Sequence, residues 1–153
     1  MMVRRMKPED VPAVSEIEKA SFSQPWSGQG FWDALANENA VFFVAEEEGT
    51  NGCGDCVPAI LGYVGMYVSI DEGEITNVAV ASQFRGKGVG KALIQELLSY
   101  AATHKVTRIV LEVRQSNAPA IGLYTRFGFE KVGTRKGFYA FPKEDADIMV
   151  REG

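Results

Sequence analysis

The chain has 153 residues, 46% hydrophobic and 24% charged, with a formal net charge of −4. This length fits one domain, spanning 1–153, able to bury about 70% of the surface its unfolded chain exposes. The composition is that of a soluble globular protein, and an acidic balance without a basic stripe argues against direct nucleic-acid binding. No apolar run approaches a membrane span, and the first ten residues, MMVRRMKPED, lack the apolar stretch of a signal peptide. A cytoplasmic protein with no membrane association is the expectation, and a basic peptide suits the charge as a partner better than a nucleic acid does.

In chain order, the short VRRM can open a strand. Pro8 starts a helix whose apolar positions Val11, Val14, Ile17 and Phe22 roughly follow helical spacing. SQPW breaks it, and Ser27 can cap a second helix carrying Phe31, Trp32 and Leu35. AVFFVAEE is a strand and AILGYVGMYVSI a longer one. Between them lies EEEGTNGCGDCVPA with Cys53 and Cys56, a C-x-x-C that can be half of a zinc site or a redox pair. Its Gly, Asn, Thr and Pro surroundings favour a lengthened hairpin connection, and the one histidine, His104, stands far away near a helix end. No metal site is expected. EITNVAVA is a third strand, joined to the previous one by a turn at Asp71–Gly73.

RGKGVGKALI follows, three glycines and three cations running into an apolar pattern. A glycine-rich turn feeding a helix gathers unpaired N–H groups and the positive helix end at one place, so phosphate is the default guest. Spacing excludes two kinds of phosphate loop. The nucleotide-triphosphate loop needs glycine where Arg85 stands and a hydroxyl where Ala92 stands. The dinucleotide fingerprint, begun at Gly86 or Gly88, ends on Lys91 or Leu93 instead of a small residue. Gly90, Leu93, Ile94, Leu97, Leu98 and Ala101 then mark the buried face of a helix. TRIVLEVR is a strand. Asn117 caps a helix with Pro119 in its first turn, Ala120, Leu123, Tyr124 and Phe127 on one face, and Gly128 to end it. FEKVGTRK and DADIMVRE supply closing strands. The order β-α-α-β-β-β-α-β-α-β-β is an α/β arrangement, a mixed sheet with helices against it.

These elements, with NVAV closing a strand and R-x-x-G-x-G at Arg85–Gly90, resemble the GNAT acetyltransferase superfamily. The block LEVRQSNAPAIGLYTRFGF, Leu111 to Phe129, is similar within it to the RimI-type ribosomal-protein-alanine N-acetyltransferases, as are Pro25-Trp26-Ser27 and the late Glu144-Asp145-Ala146 with Met149. The cysteine loop looks like an insertion, and Phe138-Tyr139 stands where a tyrosine pair is frequent, a departure at the acceptor pocket. The resemblance implies acetyl-CoA as co-substrate and the N-terminus of a ribosomal protein as acceptor. It implies that amides of Gly86, Lys87, Gly88, Val89, Gly90 and Lys91 hold the pyrophosphate, and that the backbone of Val78, Ala79 and Val80 pairs with the pantetheine arm. A monomer or weak homodimer is expected.

Glu112 sits out of pattern in IVLEVR, sharing a strand face with Val110. On the residues alone an exposed edge or an ion pair with Arg114 or another cation accounts for it; the resemblance implies a proton acceptor, with Glu74 in reserve. Tyr124 reads from its spacing as a core aromatic, and from the resemblance as a proton donor to the leaving thiolate. Asn117 suffices as a cap, and the resemblance adds a contact to the cofactor near its pantetheine. Lys87 and Lys91 either neutralise phosphate or are simply solvated. An α-amine of pKa near ~7.8 is about 14% neutral at pH 7, a lysine amine near ~10.4 only about 0.04%, a difference of about 3.5 kcal/mol. An N-terminal acceptor therefore asks little of its base. The competing readings are a small-molecule amine acetyltransferase on the same fold and a non-catalytic acyl-CoA-binding module.

Overall fold

A computed structural model describes residues 1–47 and 59–153. The Cys53–Cys56 connection lies outside the described residues. Among the described residues seven strands form one sheet: β1 (Met2–Arg5), β2 (Ala40–Glu46), β3 (Ile60–Ser69), β4 (Glu72–Val80), β5 (Arg108–Arg114), β6 (Glu130–Ala140) and β7 (Lys143–Glu152). Four α-helices among the described residues accompany them, α1 (Val11–Ser21), α2 (Gly28–Ala36), α3 (Val89–Thr103) and α4 (Ala118–Arg126). The element order is the one expected from the sequence.

The strand order is β1-β2-β3-β4-β5-β7-β6, so the last hairpin inserts β7 beside β5 and leaves β6 at the edge. Every pairing is antiparallel except β4 with β5. Helices cover both faces, which is why β2 is apolar without alternation. Its Val41, Phe43 and Ala45 belong to the core under α3 and α4, and its Ala40, Phe42 and Val44 to the core under α1 and α2. On α3, Leu93, Ile94 and Leu97 are fully buried, while Gly90 and Leu98 are only half-buried. Burying one such leucine is worth about 1.5–3 kcal/mol, so tertiary packing sets this helix more than propensity does.

Local departures have local causes. Pro8 opens a 3-10 turn, Pro8–Asp10, and the α-helix starts only at Val11. Asp10 is held at that turn: its carboxylate accepts from the Lys7 N–H at 2.7 Å and from Arg4 at 2.8 and 2.9 Å. Phe22 lies just past the end of α1 in extended backbone and is exposed, as is Trp32 on α2. Ser27 caps α2 as expected, accepting from the Gly30 N–H. The closing strands are longer than their apolar patterns, because β6 is a mostly exposed edge whose residues carry no core signal. His104 is the exposed C-cap of α3, stacked on Tyr100 at 3.8 Å.

Candidate active site

The site begins with one extra residue. Gly65 of β3 faces Asn77 of β4 and Met66 faces Ile75, which leaves Thr76 unopposed. Such a bulge bends the strand that carries it and switches which face its later side chains occupy. Before it, Ile75 packs in the core under α3; after it, Ala79 packs in the core under α1 and α2. The parallel pairing of β4 with β5 covers only Glu72–Glu74 against Arg108–Val110. Beyond those three pairs β5 continues along β7, and β4 parts from it. Val78, Ala79 and Val80 pair with β3 on one side only. Their other side presents main-chain donors and acceptors to a cleft, a template for an extended ligand.

The glycine loop stands at the mouth of this cleft. Arg85 Nε donates to the Val80 carbonyl at 3.3 Å, fixing the loop to the strand end. Gly86 and Gly88 take φ of +79° and +81°, which glycine alone adopts without strain, and a Cβ added to either would touch nothing within 4 Å. The loop therefore needs glycine for its backbone path, and its surface is bare. Left-handed residues at a helix entrance turn successive N–H groups into a concave anion site, here at the start of the 15-residue α3. Gly90 has a different purpose. A Cβ there would lie 3.3 Å from Leu123 Cδ2, so its absence brings the start of α3 close to α4. Lys87 and Lys91 are exposed at the loop, with Lys87 Nζ 5.8 Å from the centre of the Phe84 ring.

The two titratable candidates lie on opposite faces of the sheet. Ile109, Leu111 and Val113 point into the core under α3 and α4, so Glu112 points to the side of α1 and α2. Glu74 pairs with Val110 and stands on that same face, one diagonal step from Glu112. The Glu112 carboxyl is pushed above the ordinary glutamate value, chiefly by burial and next by the Glu74 charge, while Arg135 opposes the shift. Arg135 Nη1 lies 3.5 Å away. A groove of about 610 Å³ opens beside Glu74 and Val110, lined also by Tyr67, Asp71 and Glu72.

Tyr124, on α4, is 6% exposed and packs its ring 5.7 Å from Phe129. Burial, with a smaller contribution from Tyr139, pushes its hydroxyl well above the normal tyrosine value. The core reading of this residue therefore holds as far as its ring. Tyr139 joins the two candidates, since its hydroxyl feels the Glu112 charge and Tyr124 feels Tyr139. Burial raises Tyr139 and Arg114 counters it, with the guanidinium 4.1 Å over the ring. Arg114 also donates to the carbonyls of Pro142 at 2.9 Å and Phe141 at 3.1 Å, tying the tip of the β6–β7 hairpin to the end of β5. Glu144 completes the clasp by accepting from the Ser116 N–H at 2.6 Å. Asn117 caps α4, its Oδ1 accepting from the Ala120 N–H at 3.3 Å.

Of the residues singled out in the sequence, the structure places Glu112 on β5, Asn117 and Tyr124 at the cap and in the body of α4, and the glycine loop at the entrance of α3. Tyr139 entered the sequence reasoning as part of the acceptor pocket, beside the departure at Phe138. Its proximity to Glu112 arises from a register shift between Arg135 and Tyr139, which no periodicity reports. Among the described residues no group of three metal-ligating side chains occurs, and no helix is long and apolar enough to cross a membrane.

Comparison with known proteins agrees with this geometry. Residues 11–129 match the model of the acetyltransferase (GNAT) family. The chain is 37% identical over 148 residues, 96% of its length and 92% of the relative's, to a Bacillus subtilis (strain 168) protein provisionally named a ribosomal protein bS18-alanine N-acetyltransferase. It is 30% identical over 150 residues to the Escherichia coli (strain K12) protein named ribosomal protein bS18-alanine N-acetyltransferase, covering 97% of this chain and 95% of that one. The crystal structure of the Escherichia coli ribosomal-protein-S18-alanine N-acetyltransferase superposes with a TM-score of 0.85 at 29% identity, over 99% of this chain and 92% of the other. With a parted β4–β5 pair, a bare glycine loop at its mouth and relatives matched over nearly their whole length, the chain belongs to the GNAT family of acetyltransferases.

Proposed function

We propose that this protein transfers the acetyl group of acetyl-CoA to the N-terminal α-amine of a protein, with the N-terminal alanine of a small-subunit ribosomal protein as its acceptor. The observation that carries the reading is the one-sided pairing of Val78–Val80 beside the glycine loop. It supplies an edge for an amide-bearing arm and, next to it, an anion site for a diphosphate, and acetyl-CoA has both parts in that order. The bS18-alanine names of the relatives support the choice of acceptor.

In this mechanism the amides of residues 86–91 and the cations Lys87 and Lys91 hold the diphosphate. The main chain of Val78–Val80 lines up the arm, and Asn117 adds a contact near it. The co-substrate contributes an activated acyl carbon and a thiolate leaving group. The acceptor enters from the face of Glu112 and Glu74, where the groove of about 610 Å³ leaves room for a peptide and carboxylates attract its ammonium. Glu112 takes the proton that the amine must lose, directly or through water. The raised pKa of its carboxyl strengthens it as a base. The neutral nitrogen attacks the acyl carbon, the C–N bond forms, the nitrogen gives up its second proton to water and the C–S bond breaks. Tyr124 donates a hydrogen bond to the departing sulfur. Because burial holds its proton more tightly than in free tyrosine, full transfer to a thiolate near ~8.5 is uphill, and the sulfur takes its proton from solvent on release. Attack within a ternary complex needs no covalent enzyme intermediate.

A panel of short peptides differing only in the first residue, with free small amines alongside, tests this reading by mass spectrometry. One acetyl added to the alanine peptide is the expected result. Reaction of small amines alone would move the acceptor to another class, and coenzyme A binding without turnover would make the chain a binding module.

A further inference from the structure

A carboxylate that the proposed chemistry does not use is buried between α1 and the sheet. Glu18, in the last turns of α1, is 2% exposed. The Tyr63 hydroxyl donates a short hydrogen bond to its Oε1. The Trp26 main-chain N–H donates to Oε2 at 2.8 Å, and Asn77 Nδ2 reaches both oxygens, at 3.2 and 3.4 Å. The Glu18 carbonyl accepts from the Phe22 N–H at 3.0 Å. One residue thus grips both ends of the segment between α1 and α2, and it also grips β4 at the first residue beyond the Thr76 bulge. Asn77 is oriented without ambiguity, because its amide nitrogen must face the carboxylate. Its Oδ1 is left buried with no partner among the described residues.

Stability alone does not account for this arrangement. An apolar replacement for a buried charged group is often neutral or stabilising, whereas a carboxylate with three kinds of donor fixes the relative positions of the elements that supply them. Those elements are β3, the segment leading into α2, and the stretch of β4 that borders the cleft. We infer that Glu18 is a positioning residue, tying the α1–α2 segment to β4 past its bulge and so setting the acceptor side of the cleft. The consequence for acceptor binding rests on the function proposed above; the tie itself does not.

Replacing Glu18 by Gln keeps the shape and puts an NH₂ group where the Tyr63 hydroxyl or a turned Asn77 can accept from it, so the Trp26 N–H exchanges a charged acceptor for a weaker neutral one. Tyr63→Phe serves as the control, deleting an equally buried hydrogen bond to the same carboxylate while leaving the contacts to Trp26 and Asn77. Two readouts separate the tie from its consequence. In hydrogen exchange, protection of the Trp26 amide falls about tenfold or more in Glu18→Gln and is kept in Tyr63→Phe. In steady-state kinetics, the KM for the alanine peptide rises about tenfold in Glu18→Gln, with coenzyme A affinity by calorimetry within about twofold of the parent, because the glycine loop is untouched. If the glutamine variant does not fold, Asn77→Ala cuts only the arm to β4 and is expected to give the same split between peptide and coenzyme A. Equal loss of Trp26 protection in Glu18→Gln and Tyr63→Phe, or a parallel loss of peptide and coenzyme A binding, would overturn the inference. An inactive parent protein would instead defeat the acceptor assignment, and the exchange result would still decide the tie.

Discussion

Glu112 stood out because a charged residue interrupts an apolar strand, and the fold gives that irregularity a cause. Its carboxyl occupies a half-buried position beside a second carboxylate, where charge is costly to keep. Glu112→Gln is expected to lower kcat for the alanine peptide by about 10²-fold or more with little loss of fold, measured by the same peptide assay. The neighbouring charges give a sharper check. Glu112 is charged above its raised pKa and protonated below it; Glu74→Gln removes a like charge and moves the transition to lower pH, whereas Arg135→Ala removes a cation and moves it to higher pH. Carbon NMR of the Glu112 carboxyl reads both directions without reference to turnover. Tyr124→Phe separates the two readings of that residue, since a ring kept in the core preserves the melting temperature while the lost hydrogen bond to sulfur lowers kcat. At this scale Tyr139 was legible as a residue of the acceptor pocket but its link to Glu112 and Tyr124 was not, because that depends on an irregular register in β6.

Elements were the most legible level. The helix under RGKGVGKALI could be read from spacing, and its loop from three glycines that a plain turn would not use. The structure assigns these glycines different reasons: Gly86 and Gly88 answer to backbone path, Gly90 to the approach of α4. Gly88→Val should weaken coenzyme A binding about tenfold or more by calorimetry, because a β-branched residue at φ of +81° forces the loop off its path. The loop is exposed and carries no core side chain, so the melting temperature should change little. The Thr76 bulge was invisible in EITNVAV. Past the bulge Val78, Ala79 and Val80 are apolar toward both faces, so the stretch whose faces are switched has no alternation for an extra residue to break. Likewise the first helix was read three residues too early, since Pro8 satisfies the start of a 3-10 turn as well as that of an α-helix.

For the molecule as a whole, the order of elements was evident and the order of strands in space was not, because nothing local states that β7 slips between β5 and β6. The result is a sheet of two parts, β1–β4 and β5–β7, joined through three residue pairs. A ligand seated in the cleft between them binds the folded state alone. Coenzyme A at 100 times its Kd should therefore stabilise the protein by about 2.7 kcal/mol, raising the melting temperature by about 5–10 °C in a thermal shift. The junction also shapes how distant changes are felt. From Glu74 to the mouth of the cleft at Val80 is about 20 Å of strand, so the three pairs act as a fulcrum and the open edge as a long lever. A tilt of about 3° at the fulcrum displaces the mouth by about 1 Å, a misplacement large enough to cost a reaction about 10²-fold. The exposed Arg108–Glu72 ion pair at 3.2 Å spans that fulcrum. Arg108→Ala, worth at most about 1 kcal/mol of stability, should for that reason slow turnover by more than its effect on melting suggests.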